Sequence, residues 1–173
     1  MKGVIMQEQK EIFVKIDRCV GCRSCTIACA VAHSESNSLF GAISEKPMPK
    51  SRVYVEWVPP DRKVPLVCRN CDEAPCMSAC ICGAISRNEQ GIPITDRDKC
   101  IGCWTCVMVC PYGVIGRHQE THKAYRCDRC PDRDIPACVE ACPTKAMVYE
   151  TVEAYSESMR KHASIEISRS DKG

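Results

Sequence analysis

The chain has 173 residues, a formal net charge of +2, few aromatic side chains (5%) and 17 cysteines. A charge so near zero gives no footing for nucleic-acid binding, and no apolar stretch approaches membrane-spanning length. So few large side chains bury only a modest apolar area, so something other than aromatic packing must fill the interior.

Met1–Lys10 shows neither a long apolar run nor a small-residue cleavage site, so no signal peptide is read there. No twin-arginine pair precedes the first cysteines. Phe13–Ile16 alternates and predicts a strand. Cys19, Cys22, Cys25 and Cys29 follow, and a helical turn between the last two would put them on one face. Val31–Pro65 interrupts the pattern with Pro47, Pro49, Pro59 and Pro60. Within it, Arg52–Val58 reads as a strand with Val53, Val55 and Trp57 on one side. Next come Cys68, Cys71, Cys76 and Cys80. Ala84–Arg87 and Ile92–Thr95 flank Asn88-Glu89-Gln90-Gly91, which reads as a hairpin turn. Cys100, Cys103, Cys106 and Cys110 precede Pro111 and the apolar Gly113–Ile115. Cys127, Cys130, Cys138 and Cys142 precede Pro143 and Ala146–Tyr149. Thr151–His162, with Val152, Tyr155 and Met159 at helical steps, predicts an amphipathic helix, and Ser168–Gly173 is expected to fray.

Sixteen of the 17 cysteines thus form four groups of four, each ending in C-x3-C. Groups one and three have the C-x2-C-x2-C-x3-C spacing of bacterial ferredoxins, in which the fourth cysteine ligates the other cluster of a pair. The flanks repeat as well: Asp17-Arg18-Cys19-Val20-Gly21-Cys22 answers Asp98-Lys99-Cys100-Ile101-Gly102-Cys103. Disulfide scaffolds belong to secreted and usually shorter chains. Structural zinc uses two cysteine pairs split by a loop, not three cysteines at three-residue intervals. Iron–sulfur clusters are the favoured reading, and a zinc-loaded structural protein is the alternative of another class. Cluster binding would then supply folding free energy, leaving the apo protein largely unfolded.

Cys82 is the seventeenth cysteine. The x3 spacing favours Cys80 as ligand and leaves Cys82 a spare buried thiol. The alternative is that Cys82 replaces Cys80. The basic residues Arg18, Arg23, Lys123, Arg126, Arg129, Arg133 and Lys145 read as an ordinary solvated face, with offsetting of cluster charge as the alternative. His33, His118, His122 and His162 read as surface or hydrogen-bonding residues. Trp104 either shields a cluster or simply packs. No phosphate-binding glycine motif is present, so no site for a flavin, a nicotinamide or an organic substrate is read.

From about Ile12 to Tyr149 the four groups resemble the four-cluster electron-transfer subunits of the dimethyl sulfoxide reductase, formate dehydrogenase and formate hydrogenlyase systems. Cys22-Arg23-Ser24-Cys25 through Cys29–Ser34, then Leu39–Ile43, is similar to the ferredoxin-like partner of nickel carbon monoxide dehydrogenase. The resemblance implies an α+β, duplicated ferredoxin-like fold with two modules of two 4Fe–4S clusters each. Residues 1–54 and 114–150 would form the outer module, with the 31–65 insertion, and 55–113 the inner one. A helical tail would cover 151–173.

Four 4Fe–4S clusters are implied, with crossed ligands. Cys19, Cys22 and Cys25 would share one with Cys142; Cys127, Cys130 and Cys138 one with Cys29. Cys68, Cys71 and Cys76 would share one with Cys110; Cys100, Cys103 and Cys106 one with Cys80. Cys82 is in none of these sets. The implied role is a non-catalytic subunit of anaerobic metabolism relaying single electrons from carbon monoxide dehydrogenase to a hydrogenase, a flavin-dependent NAD(P) reductase or a ferredoxin. The alternative is the small subunit of a formate dehydrogenase or hydrogenase complex. Its expected place is the cytoplasm, or the periphery of a membrane-bound complex. Leu39, Phe40, Val152 and Tyr155 are candidate docking anchors.

Overall fold

The computed structural model describes residues 9–170; most of the Met1–Lys10 segment and the last three residues lie outside them. Short helices alternate with two-stranded antiparallel ladders. Strand β1 (Lys10–Val14) pairs with β8 (Met147–Thr151), Ile12 opposite Tyr149, so the two ends of the repeat close on each other. The other ladders are local hairpins: β2 (Tyr54–Val58) with β3 (Arg62–Leu66), β4 (Ile85–Arg87) with β5 (Pro93–Thr95), and β6 (Gly116–His118) with β7 (Lys123–Tyr125). No helix among the described residues is long and apolar enough to cross a membrane.

Each cysteine group carries one short helix. They are α1 (Ser24–Ala32), α3 (Pro75–Ser78), α4 (Thr105–Met108) and α5 (Ala137–Glu140). Helix α2 (Leu39–Ser44) lies in the insertion, where the Ser38 hydroxyl accepts the Gly41 amide at 3.1 Å and caps it. Helix α6 (Val152–Ser170) ends the described chain.

Helix α1 packs on α5 and α3 packs on α4, and the buried residues fall into two cores accordingly. The first holds Cys25, Cys29, Cys127, Cys138 and Cys142 with Ile12, Val53, Val67 and Met147. The second holds Cys76, Cys100 and Cys106 with Ile85, Ile115 and Ala124. The largest fully buried side chains are only Met147, Val53, Val114, Pro93 and Pro136. Cysteine is therefore a principal core-forming residue of both cores.

Several expectations change. Trp57 is 68% exposed, because only Val53 and Val55 of that strand reach the first core. Residues 168–170 remain helical. Tyr155 is no free anchor: its ring stacks on Phe13 at 4.0 Å, pinning α6 to β1. Arg126 and Arg129 are not solvated, at 5% exposure each, because both find partners inside the fold. Arg129 pairs with Glu11 and donates to the Lys10 carbonyl at 2.8 Å, tying group four to β1.

Candidate metal centres

The four cysteine groups share a backbone device. The residue before the second cysteine is left-handed in each: Gly21 (φ 71°), Asn70 (53°), Gly102 (72°) and Arg129 (64°). Arg23 (61°) and Trp104 (65°) repeat the turn after the second cysteine of groups one and three. Such turns aim successive amides into one concavity, the nest geometry suited to an anionic sulfur cluster. The amides of Ser24, Thr26, Val107 and Arg129 donate in this way to Cys22, Cys25, Cys106 and Cys127. At Gly102 the turn also brings the His122 carbonyl where a Cβ would stand.

The groups cross over. A small cavity is lined by Cys19, Cys22, Cys25 and Cys142 together, with Val55 and Met147. Burial pushes the Cys25 thiol up to about 11, and the charges of Cys142, Cys22 and Cys19 add to the rise. Burial likewise raises Cys138, reinforced by Cys127, Cys29 and Cys130. Cys106 is pushed up to about 11 by burial and by Cys100, Cys103 and Cys80. Cys68 and Cys76 are joined through Arg126, whose Nη2 and Nη1 donate to their sulfurs at 2.8 and 2.9 Å. The charge of Cys68 also reaches Cys127, and Tyr54 feels both Cys29 and Cys110, so these groups meet between the cores. Cys22 and Cys103 are the two exposed members. Cys82 Sγ lies 3.7 Å from Cys80 Sγ.

A second layer of polar groups surrounds the sulfurs. Ser24 Oγ lies 3.4 Å from Cys22 Sγ, Thr105 Oγ1 3.5 Å from Cys103 Sγ, and Thr144 Oγ1 3.8 Å from Cys142 Sγ. The signal for these contacts is a hydroxyl residue two places after a cysteine. The Arg52 amide donates to Cys29 Sγ at 3.2 Å. His33 Nδ1 donates to the Cys29 carbonyl at 2.7 Å and Nε2 to Asp128 Oδ1 at 3.1 Å; Arg52 Nη1 reaches Asp128 Oδ2 at 2.6 Å. Burial disfavours a charged His33, but Asp128 and Cys29 outweigh it and lift the imidazole to about 9. Trp104 packs against the second core with the Arg117 guanidinium over its ring.

The donor chemistry fits iron–sulfur clusters. All 17 cysteines are free thiols, and burial keeps several neutral until a metal takes the thiolate. The only trio of His, Cys, Asp or Glu donors within 4.8 Å of one another among the described residues is His33, Asp128 and Cys130. A single zinc at a Zn–S distance of about 2.3 Å needs four sulfurs about 3.8 Å apart. Among the described residues no all-cysteine set is that tight, which favours a cuboidal cluster that holds its sulfurs further apart.

Comparison with known proteins agrees. Residues 62–152 match the 4Fe-4S dicluster domain and residues 16–32 a 4Fe-4S binding domain. An iron-sulfur protein of Rhodospirillum rubrum is 37% identical over 181 residues, covering 95% of this chain and 94% of that protein. The electron transport protein HydN of Escherichia coli K12 is 35% identical over 153 residues, covering 79% of this chain and 85% of that one. The thiosulfate reductase electron transfer subunit PhsB of Salmonella typhi is 36% identical over 146 residues, covering 76% and 70%. A dicluster-domain match over half the chain, with relatives at 35–37% identity over most of its length, shows that this chain belongs to the ferredoxin-like family of iron–sulfur electron-transfer subunits.

Proposed function

We propose that the protein holds four 4Fe–4S clusters and relays single electrons between a catalytic oxidoreductase and a second redox protein. The observation that carries this reading is the crossing of the groups: Cys142 lines one cavity with Cys19, Cys22 and Cys25, and the charges of Cys29 and Cys80 reach Cys138 and Cys106. The ligand sets are Cys19, Cys22, Cys25 and Cys142; Cys127, Cys130, Cys138 and Cys29; Cys68, Cys71, Cys76 and Cys110; Cys100, Cys103, Cys106 and Cys80. One-electron uptake and release is the chemistry the clusters supply when bound. The chain's residues set the burial, spacing and charge around them.

The sets form a duplicated ferredoxin-like fold, residues 1–54 with 114–150 and residues 55–113. Packing supports an exchange of hairpins across that boundary: β3 lies against Ile16–Arg18, whereas Ile115 and Ala124 belong to the second core. Exposure of Cys22 and Cys103 supports placing the wire's ends at their clusters, with the other two between. The chain has no substrate site of its own and works in the cytoplasm, or peripherally on a membrane-bound complex. Docking rests on α2, where Phe40 is 84% exposed beside exposed Leu39 and Ile43.

Carbon monoxide dehydrogenase is the preferred donor, on the resemblance of Cys22–Ser34 and Leu39–Ile43; a hydrogenase, a flavin-dependent NAD(P) reductase or a ferredoxin is the acceptor. The second reading, a formate dehydrogenase or hydrogenase complex, draws on the broad similarity to electron-transport relatives. The test is anaerobic mixing of cluster-loaded protein with catalytic amounts of carbon monoxide dehydrogenase and carbon monoxide. Visible cluster absorbance should bleach. Bleaching only with formate dehydrogenase and formate moves the partner to the second reading, and a colourless loaded protein ends both.

A further inference from the structure

We propose that Arg126 sets the reduction potential of the cluster held by Cys68, Cys71, Cys76 and Cys110, keeping it above the value that ligand set would otherwise have. The inference rests on the ligand reading above. Arg126 follows β7 and directly precedes Cys127, yet its side chain crosses to group two. Its two terminal nitrogens donate to two different sulfurs, Cys76 at 2.9 Å and Cys68 at 2.8 Å. The planar fork of a guanidinium suits such paired donation.

Its charge is also uncompensated by a carboxylate. Among the described residues, Arg52 pairs with Asp128, Arg129 with Glu11, Arg133 with Glu140 and Arg169 with Glu166, but Arg126 has no acidic partner. It is buried, and the sulfurs of Cys68 and Cys76 are what hold its charge. The sulfurs of the other sets have milder neighbours: the hydroxyls of Ser24, Thr105 and Thr144 and the amides of Arg52 and Ala124. His33 stands 3.8 Å from Cys29 Sγ, but Asp128 faces it. Lys123 Nζ binds the Cys100 carbonyl, not a sulfur.

Reduction adds one electron, and so one negative charge, to a cluster and its thiolates. A fixed cation in contact with two ligand sulfurs stabilises that reduced form over the oxidised one. Hydrogen bonds to the sulfurs act in the same direction, and weak screening strengthens the pull of the cation, opposing the penalty that burial alone places on the more negative reduced form. The midpoint of that one cluster is thereby raised, in the region where the charge of Cys68 reaches Cys127 of group four.

The test uses the full chain, loaded anaerobically, as wild type, R126M and R126K, with iron content and EPR-monitored redox titrations on the same samples. R126M should keep its iron while one midpoint falls by at least a tenfold change in the one-electron equilibrium, about 59 mV. The other three midpoints should move far less, and R126K should recover more than half of the shift. Unchanged midpoints in loaded R126M, or equal shifts in R126M and R126K, would overturn the proposal. If R126M fails to load, R126Q carries the same measurement. Failure of both while R126K loads also counts against it, because Arg126 would then be a structural support. The ligand reading fails separately: C68S would then leave the same EPR signal intact.

Discussion

Cys82 takes a place in the local geometry that its spacing does not reveal. It stands two residues after Cys80, as Thr144 stands after Cys142, and the sulfur separation of 3.7 Å matches the 3.8 Å from Thr144 Oγ1 to Cys142 Sγ. The amides of Ile101 and Ala84 point at its sulfur and lower its pKa. Its charge also reaches Cys103, so it stands between two ligand candidates, and we expect it to act as a polar neighbour of Cys80, as Thr144 does of Cys142, and not as a ligand. C82S should leave iron content and the reduced EPR spectrum almost unchanged, since serine restores the hydroxyl found at Thr144. C80S should damage one cluster. The reverse pattern would make Cys82 the ligand. Ligand candidates were legible because metal-binding spacing is local. Arg126 was not, since its sulfur partners lie 50 and 58 residues away. Nor was the His33–Asp128 bond, which spans 95 residues. Both were read as surface residues because charged side chains are seldom buried without a partner, and sequence alone did not show the partners.

At the scale of the element, the cysteine loops depend on left-handed turns, and glycine serves two different needs there. Gly113 (φ +62°) has open space where a Cβ would go, whereas Gly102 (φ +72°) has the His122 carbonyl there. G113A should cost about 1 kcal/mol from backbone strain alone. G102A should cost clearly more, because the group-three loop must also move away from the strand region before Lys123. Anaerobic thermal unfolding of the loaded variants measures the difference; equal losses would mean that the close approach at Gly102 is absent. The hairpin over Asn88–Gly91 was legible because its turn chemistry is local, with Asn88 Oδ1 accepting the Gln90 and Ile92 amides. The β2–β3 and β6–β7 hairpins were not read as pairs. Pro59 and Pro60 obscured the first, and three-residue strands are too short to show alternation in the second. The tail's helix was legible, but its length was not, because beyond His162 exposed residues continue the helix without a capping signal.

At the scale of the whole molecule, two small cores are built largely from cysteine, alanine and a few aliphatic residues. Apolar burial of that kind stabilises such a chain weakly, so metal–thiolate bonding must supply much of the folding free energy. The pairing of α1 with α5 and of α3 with α4 brings groups together that are distant in sequence, and β1–β8 closes the ring of the chain. That arrangement brings cysteine groups from both ends of the chain into the first core and the two middle groups into the second. The proposed function requires that four complete quartets each hold a cubane. The most direct measurement is iron and acid-labile sulfide per chain in fully loaded, anaerobically purified protein. The account predicts about sixteen of each; a preparation that reproducibly stops near twelve would show that one quartet is not a 4Fe–4S site and would contradict it.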